Sequence, residues 1–425
     1  MSAGRPLGEG PNIATVGVLL KIAAVGLVAL AMGDCGSRTC DSSSGQCVSA
    51  PTSEVVFGVT AADFDGDGRP DVAIPVTTLG SGVVGVYLHA AVKGDTYADR
   101  VDYLTSAQPF TILSADLNGD NKPDLVTTDS RDGLVGVLLN TPSAPGTFGA
   151  PQLISIPGSG PGAVQYMYAA VADLEGNGLP DLLVASGVAV LILPQLAGAP
   201  GTFGSPVVLF SGTAALHSLA LGDLNGDGIP DIALVDDAGV TLLFTAVSNG
   251  TVTISGTKTV YTNLKTGAYP AVAIADLNGD GRNDVVIADP IAGTLTVLLQ
   301  SQLSAGQFLT AAHYPLPAGA GLSIVVADLN ADKLSDLVIG GSALVAVLLQ
   351  DPAHSATFLP ASTYAAPIGA NAVAVADLNG DGLPDIVTDS GVSSTVVNGV
   401  LRTPPGVLFQ DPEKPGTFMP LRNVN

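Results

Sequence analysis

One nine-residue acidic pattern recurs seven times, and no other feature of the chain restricts its fold so tightly. The copies are DFDGDGRPD (63–71), DLNGDNKPD (116–124), DLEGNGLPD (173–181), DLNGDGIPD (223–231), DLNGDGRND (276–284), DLNADKLSD (328–336) and DLNGDGLPD (377–385). Their first aspartates are 53, 57, 50, 53, 52 and 49 residues apart. A period of this length marks a chain built from one supersecondary unit whose apolar faces are buried only by its neighbours. An alternating run of small and branched residues precedes each loop, as in AVAIAD (271–276), and a β-branched run follows it, as in DVVIAD (284–289). A third run such as LTVLLQ (295–300) comes next, and often a fourth opened by Thr-Phe, as in TFGSPVVL (202–209). These are strands separated by turns, and 52 glycines and 30 prolines among 425 residues supply the turns.

A single four-stranded antiparallel sheet cannot bury both faces, whereas seven arranged radially bury each face against the next. Ala-rich first strands suit the crowded axis, where a large side chain would clash. The sequence therefore predicts an all-β protein, a seven-bladed β-propeller of four-stranded antiparallel blades with an acidic loop between the first two strands of each blade. The first inner strand is expected near Val55 to Ala61 and the last outer strand near Thr417 to Val424. All seven sets are then contiguous, no strand is left over to close the ring by exchange, and blades one and seven should meet by face packing with the termini adjacent. The segment Ser390 to Pro405 is longer than its counterparts and is expected to form an extended loop. The organisation that follows is an export segment (1–34), a Cys-containing linker (35–53) and the propeller (54–425).

In each loop positions 1, 3, 5 and 9 carry side-chain oxygens, position 6 is usually Gly, and position 7 can offer a carbonyl. Hard cations such as calcium require this, taking six to eight oxygen ligands. Without a cation, four carboxylates in nine residues, as at 63–71, repel at close range. The loops hold 22 of the 38 acidic residues, four in the first copy and three in each of the others. Seven Ca²⁺ would add fourteen positive charges and take the formal net charge from −23 to −9. An EF-hand starts similarly but needs a bidentate Glu at position 12. Here that position is Ile74, Thr127, Val184, Leu234, Ile287, Ile339 or Thr388, so the EF-hand is excluded. The alternative is a metal-free turn in which Asp and Asn bond their own backbone. It weighs most for the third loop, with Glu175 and Asn177, and the sixth, where Ala331 and Lys333 replace glycines. The second loop departs at position 6, where it carries Asn121.

On these residues the chain resembles FG-GAP or VCBS-repeat proteins, the family of integrin-α-type propellers. The literal Phe-Gly-Ala-Pro at Phe148 to Pro151 and the seven acidic loops carry the resemblance over about residues 55 to 424. It implies up to seven Ca²⁺, each bound by side chains at positions 1, 3, 5 and 9 and the carbonyl at position 7. In the first loop these are Asp63, Asp65, Asp67, the Arg69 carbonyl and Asp71, and in the second Asp116, Asn118, Asp120, the Lys122 carbonyl and Asp124. The third would use Asp173, Glu175, Asn177, Leu179 and Asp181, and the fourth Asp223, Asn225, Asp227, Ile229 and Asp231. The fifth would use Asp276, Asn278, Asp280, Arg282 and Asp284, and the sixth Asp328, Asn330, Asp332, Leu334 and Asp336. The seventh would use Asp377, Asn379, Asp381, Leu383 and Asp385. WD and kelch propellers are poorer matches, because both favour Trp and this chain has none.

Residues 14 to 32 are apolar apart from Lys21, and the run Ile22 to Met32 has the length of a signal-peptide core. Export is expected, with translation starting near Val18. Cys35 follows the core as the lipidated cysteine of a bacterial lipoprotein does, although Asp34 is unlike the small residue usual before it. Two readings stay open. In one Cys35 is lipidated and Cys40 pairs with Cys47 in a disulfide; in the other a secretory signal is cleaved nearby and the thiols are unremarkable. The chain would thus be secreted or held at the cell envelope, attached through Cys35 or the apolar segment.

The acidic surplus repels phosphate and excludes nucleic acid as a partner. With no Trp, four His and three Cys, all three Cys before residue 48, the chain offers little for a haem, zinc or histidine-based centre. His89, His217, His313 and His354 lie in four different units without a recurring nucleophile, so no catalytic residue is assigned. The expected function is a calcium-stabilised, non-catalytic interaction or adhesion module whose partner is a surface protein or a glycan. A lectin is the alternative, with Tyr166, Tyr168, Tyr269 and Tyr314 as candidates to line one face of the ring. A calcium-dependent polysaccharide-acting enzyme would need an acid and base unique to one blade, and none is evident.

Overall fold

A computed structural model describes residues 38–40, 47–49, 52–78, 81–90, 96–159, 167–236, 238–261, 270–391, 394–397, 400–424. The apolar segment 14–32, Cys35, Tyr166 and Tyr269 lie outside the described residues. Within them every regular element is a strand, and no helix is long and apolar enough to cross a membrane.

Seven antiparallel sheets follow one another along the chain. Blade 2 is representative, pairing Thr111–Ala115, Asp124–Asp129, Leu134–Leu138 and Gln152–Ser155 in sequence order. In every blade the ninth loop residue opens the second strand opposite the small residue just before the loop. The pairs are Asp71 with Ala62, Asp124 with Ala115, Asp181 with Ala172, Asp231 with Gly222, Asp284 with Ala275, Asp336 with Ala327 and Asp385 with Ala376. The shared register sets all seven acidic loops on one face of the ring.

The second strands are covered on both sides, so between their ends they read as apolar runs, as in Asp284–Asp289 (DVVIAD), which is buried throughout. The core lies in the seams between blades. Leu125 and Leu138 pack with Phe64 and Val84 between blades 1 and 2, and Ile324 and Leu337 pack with Ala273 and Val286 between blades 5 and 6. Innermost strands touch in succession around the whole ring, and the seventh, Val373–Ala376, touches the first, Thr60–Ala62. The seventh and first blades meet as expected, by faces: Val59, Ile74 and Val76 pack against Ala374, Val387 and Val407.

Three local features depart from the sequence reading. Blade 1 has a broken inner strand, Val55–Val56 and then Thr60–Ala62, both paired with Asp71–Thr78. Pro75 faces the break and has no N–H to donate there, which is why the ladder lapses. Blade 4 ends in a long hairpin, Gly239–Ser248 and Thr251–Tyr261, turning at Asn249 and Gly250 with φ of 54° and 69°. Two register shifts interrupt this outer strand, and such bulges bend an exposed edge away from pairing with another chain.

The third departure concerns closure. The segment 390–405 is not an extended loop, because Thr395–Val397 and Val400–Arg402 pair antiparallel within it. The second of these strands also takes Thr52–Ser53 alongside it in parallel. Among the described residues no strand is exchanged into a blade, yet the N-terminal end of the propeller is hydrogen-bonded to an insertion from its last blade. Three consecutive β-branched residues, Thr395, Val396 and Val397, favour extended backbone over a loop. Farther upstream, Arg38–Cys40 pairs with Cys47–Ser49 in a register that sets Cys40 opposite Cys47.

Candidate metal centres in the acidic loops

Each loop is a tight coil folded around its own first carboxylate. In loop 1 the Asp63 oxygens accept the amides of Gly66, Asp67 and Gly68 at 2.7, 3.1 and 2.8 Å. Asp65 accepts the Asp67 amide at 3.0 Å, and Asp67 accepts the Arg69 amide at 2.9 Å. Loops 2, 5 and 7 repeat the pattern with Asn at position 3. In loop 3 the longer Glu175 instead accepts the Asn177 side-chain amide at 2.9 Å.

The coil requires left-handed backbone at positions 4 and 6 in all seven copies. Glycine supplies it in most, but Asn121 adopts φ 62°, and in loop 6 Ala331 and Lys333 are held at 60° and 69°. Loop 6 keeps the bonds from positions 5 and 6, with Asp328 accepting the amides of Asp332 and Lys333. It is therefore folded like the others despite lacking both glycines.

The ninth residue has a role the sequence reading did not give it. Asp71, Asp124, Asp181, Asp231, Asp284, Asp336 and Asp385 have no exposed surface. In each, Oδ2 accepts the amide of loop position 2, as from Leu277 to Asp284 at 3.0 Å. The other oxygen accepts the amide of a residue two past the end of the third strand, or in blade 4 of Thr245 within it. Those donors are His89, Asn140, Gln195, Thr245, Gln300, Gln350 and Gln410, at 2.6 to 2.9 Å. Burial pushes the carboxyl up to about 7 for Asp71 and Asp385, and to about 6 for Asp124, Asp231, Asp284 and Asp336.

A second set of residues escaped the sequence reading altogether. The side-chain amide of Asn140 donates to the carbonyl of Phe64 in the preceding blade's loop at 2.8 Å. Gln195 does the same to Leu117 O at 2.8 Å, Gln300 to Leu224 O at 2.6 Å and Gln350 to Leu277 O at 2.9 Å. Each also donates to the carbonyl of position 8 in its own loop. These amides latch loops 1, 2, 4 and 5 to the next blade. The available signal was an Asn or Gln ending the third run and, eight residues on, a Phe, preceded by Thr except at Gln307-Phe308, with which it forms a β-bridge.

The donor set suits a hard cation. Asp63, Asp65 and Asp71 each bring one carboxylate oxygen within 4.8 Å of the others. Asp120 Oδ2 in loop 2 is buried without a hydrogen-bond partner. Asp65 is pushed up, first by burial and further by the charges of Asp67 and Asp63, which a cation would offset. All side-chain donors are oxygens, as calcium prefers over soft metals.

The other candidates fall elsewhere. Tyr168 is buried in the core of blades 3 to 5. Tyr314 packs edge-on against Phe358 at 5.6 Å and donates to Ala356 O. His313 bonds Thr296, the exposed His354 pairs with Asp351, and His89 Nδ1 lies 3.4 Å from Arg69 and 3.1 Å from Ala90 O.

Repeats over residues 116–184, 223–287, 276–339 and 328–388 match the FG-GAP-like repeat model. The chain belongs to the FG-GAP-like repeat family and is a seven-bladed β-propeller of that type. Among solved structures it is similar to an Agrocybe aegerita lectin described as specifically recognising non-reducing terminal N-acetylglucosamine. The identity is 22%, covering 86% of this chain and 94% of the lectin, with a TM-score of 0.56. It is also similar to BBS1N from a complex with ARL6DN, at 14% identity, covering 78% and 87%, with a TM-score of 0.50. A Lactobacillus plantarum protein matches at 13% identity over 77% and 91%, with a TM-score of 0.50. No curated protein matches the chain.

Proposed function

We propose that the chain is an exported, calcium-stabilised, non-catalytic propeller that serves as an interaction module at the cell surface. The observation that carries this reading is the sevenfold repetition of one oxygen-lined coil on one face of the ring, with the same backbone even where its glycines are lost. A catalytic centre needs an acid, base or nucleophile in one place, whereas seven equivalent loops serve structure. The ions would sit between position 1 and the buried ninth residue. Bound there, they would brace the two points from which each loop holds its own third strand and, in loops 1, 2, 4 and 5, receives the latch of the following blade. Export is supported by the apolar run at Ile22 to Met32 and by the cysteines near the N-terminus. Cys35 is the residue that would carry a lipid.

A second reading is carbohydrate binding, favoured by the likeness to the N-acetylglucosamine-recognising lectin. Tyr168 and Tyr314 do not support it, because both are engaged in packing. The two readings separate when the purified protein is applied to a broad glycan panel in millimolar Ca²⁺ and again in EDTA. The scaffold reading predicts no glycan bound in either condition and a melting point that falls in EDTA. Calcium-dependent capture of a defined glycan would replace it with the lectin.

A further inference from the structure

We propose that the seam between blades 7 and 1 is the point at which the ring opens, and that an ionic clasp outside the blades holds it shut. Amide latches cross the seams 1–2, 2–3, 4–5 and 5–6. At seams 3–4 and 6–7 the residues in the latch position, Thr245 and Gln410, bond carbonyls of their own blade, Pro230 O and Pro384 O, and at the seam between blades 7 and 1 that position is His89, whose ring contacts Arg69 and Ala90 within blade 1. A different device stands there. The Glu54 carboxylate, 2% exposed, receives both terminal nitrogens of Arg100 at 2.8 Å, and Arg100 in turn holds Asp102 at 2.7 Å. Arg402, on the insertion hairpin of blade 7, reaches Glu54 at 3.4 Å and Asp102 at 3.7 Å.

Four alternating charges thus tie the segment entering the propeller, the outer strand of blade 1 and the hairpin of blade 7 at one spot. The parallel pairing of Thr52–Ser53 with Val400–Arg402 lies directly beside them. A charge buried opposite a lost partner is strongly destabilising, so the network is cooperative and its failure is local.

Hydrogen exchange on the full chain, resolved by segment, tests this with two variants. Arg402→Gln removes a half-exposed member and keeps the Glu54–Arg100 pair, and Glu54→Gln removes the centre. The clasp predicts that Arg402→Gln speeds exchange at least about tenfold in Val55–Ala62 and Val373–Ala376, with Glu54→Gln larger, while Asp181–Ser186 and Asp231–Asp236 stay at wild-type rates. Unchanged protection at the seam in Arg402→Gln, or acceleration spread evenly over all blades, would overturn the proposal. Should Glu54→Gln not fold, Arg402→Gln decides alone.

Discussion

At the residue scale the propeller rests on carboxylates and amides that hold backbone more than they hold each other. The ninth-position aspartates give both oxygens to backbone amides, and the Asn and Gln latches carry a hydrogen bond to a carbonyl 73 to 78 residues earlier in the chain. Replacing Gln300 with Ala strands the buried Leu224 carbonyl, and we expect a loss of about 1–3 kcal/mol in denaturant unfolding. Loop 6 offers the opposite change. Lys333→Gly relieves a left-handed residue that keeps its amide bond to Asp328, and should raise stability by about 1 kcal/mol, read as a higher denaturation midpoint. The oxygen-bearing positions 1, 3, 5 and 9 were legible in the sequence because they lie within nine residues. The latch was not, because nothing local says which distant carbonyl an amide at a strand end will meet.

The element that matters is the loop with the strand it opens, and its behaviour with pH follows from the buried ninth residue. Burial lifts these carboxyls to about 6 or 7, against an unfolded value near 3.8. In calcium-free protein the folded state therefore keeps protons that the unfolded chain has released. That stabilisation is complete below the unfolded value and is lost as pH rises through 6 to 7. Asp389, wholly buried at the end of blade 7's second strand and also held up to about 7, acts in the same direction. Melting in EDTA should accordingly fall between pH 5 and pH 8. In saturating calcium the slope should flatten or reverse, since protons and the ion compete for the same oxygens. A calcium-free melting point that rises over this range would contradict the assignment. Most strands were legible from their alternation, whereas the hairpin at Thr395 to Arg402 was hidden because its pairing partner, Thr52–Ser53, lies at the other end of the propeller.

At the scale of the molecule, seven repeats predicted seven blades, and the structure has them in the expected order. The period carried that much because each blade can bury its faces only against a copy of itself. What the period could not carry is where the symmetry breaks. His89 and Thr245 stand where blades 2, 3, 5 and 6 have a latch, Gln410 in blade 7 bonds only its own loop and turn, and blade 4 replaces the Thr-Phe turn with its long hairpin. These are single departures inside a repeat, and their consequences depend on neighbours a full blade away. In the proposed role, cations complete the acidic coils and so brace the ring. The most direct test of that role is calcium titration of the metal-stripped full chain, with bound metal counted and thermal melting followed together. Several equivalents should bind per chain, up to seven, and the melting point should climb as they fill. Complete folding with an unchanged melting point and no calcium retained would contradict it, leaving the coils as turns held by their own hydrogen bonds.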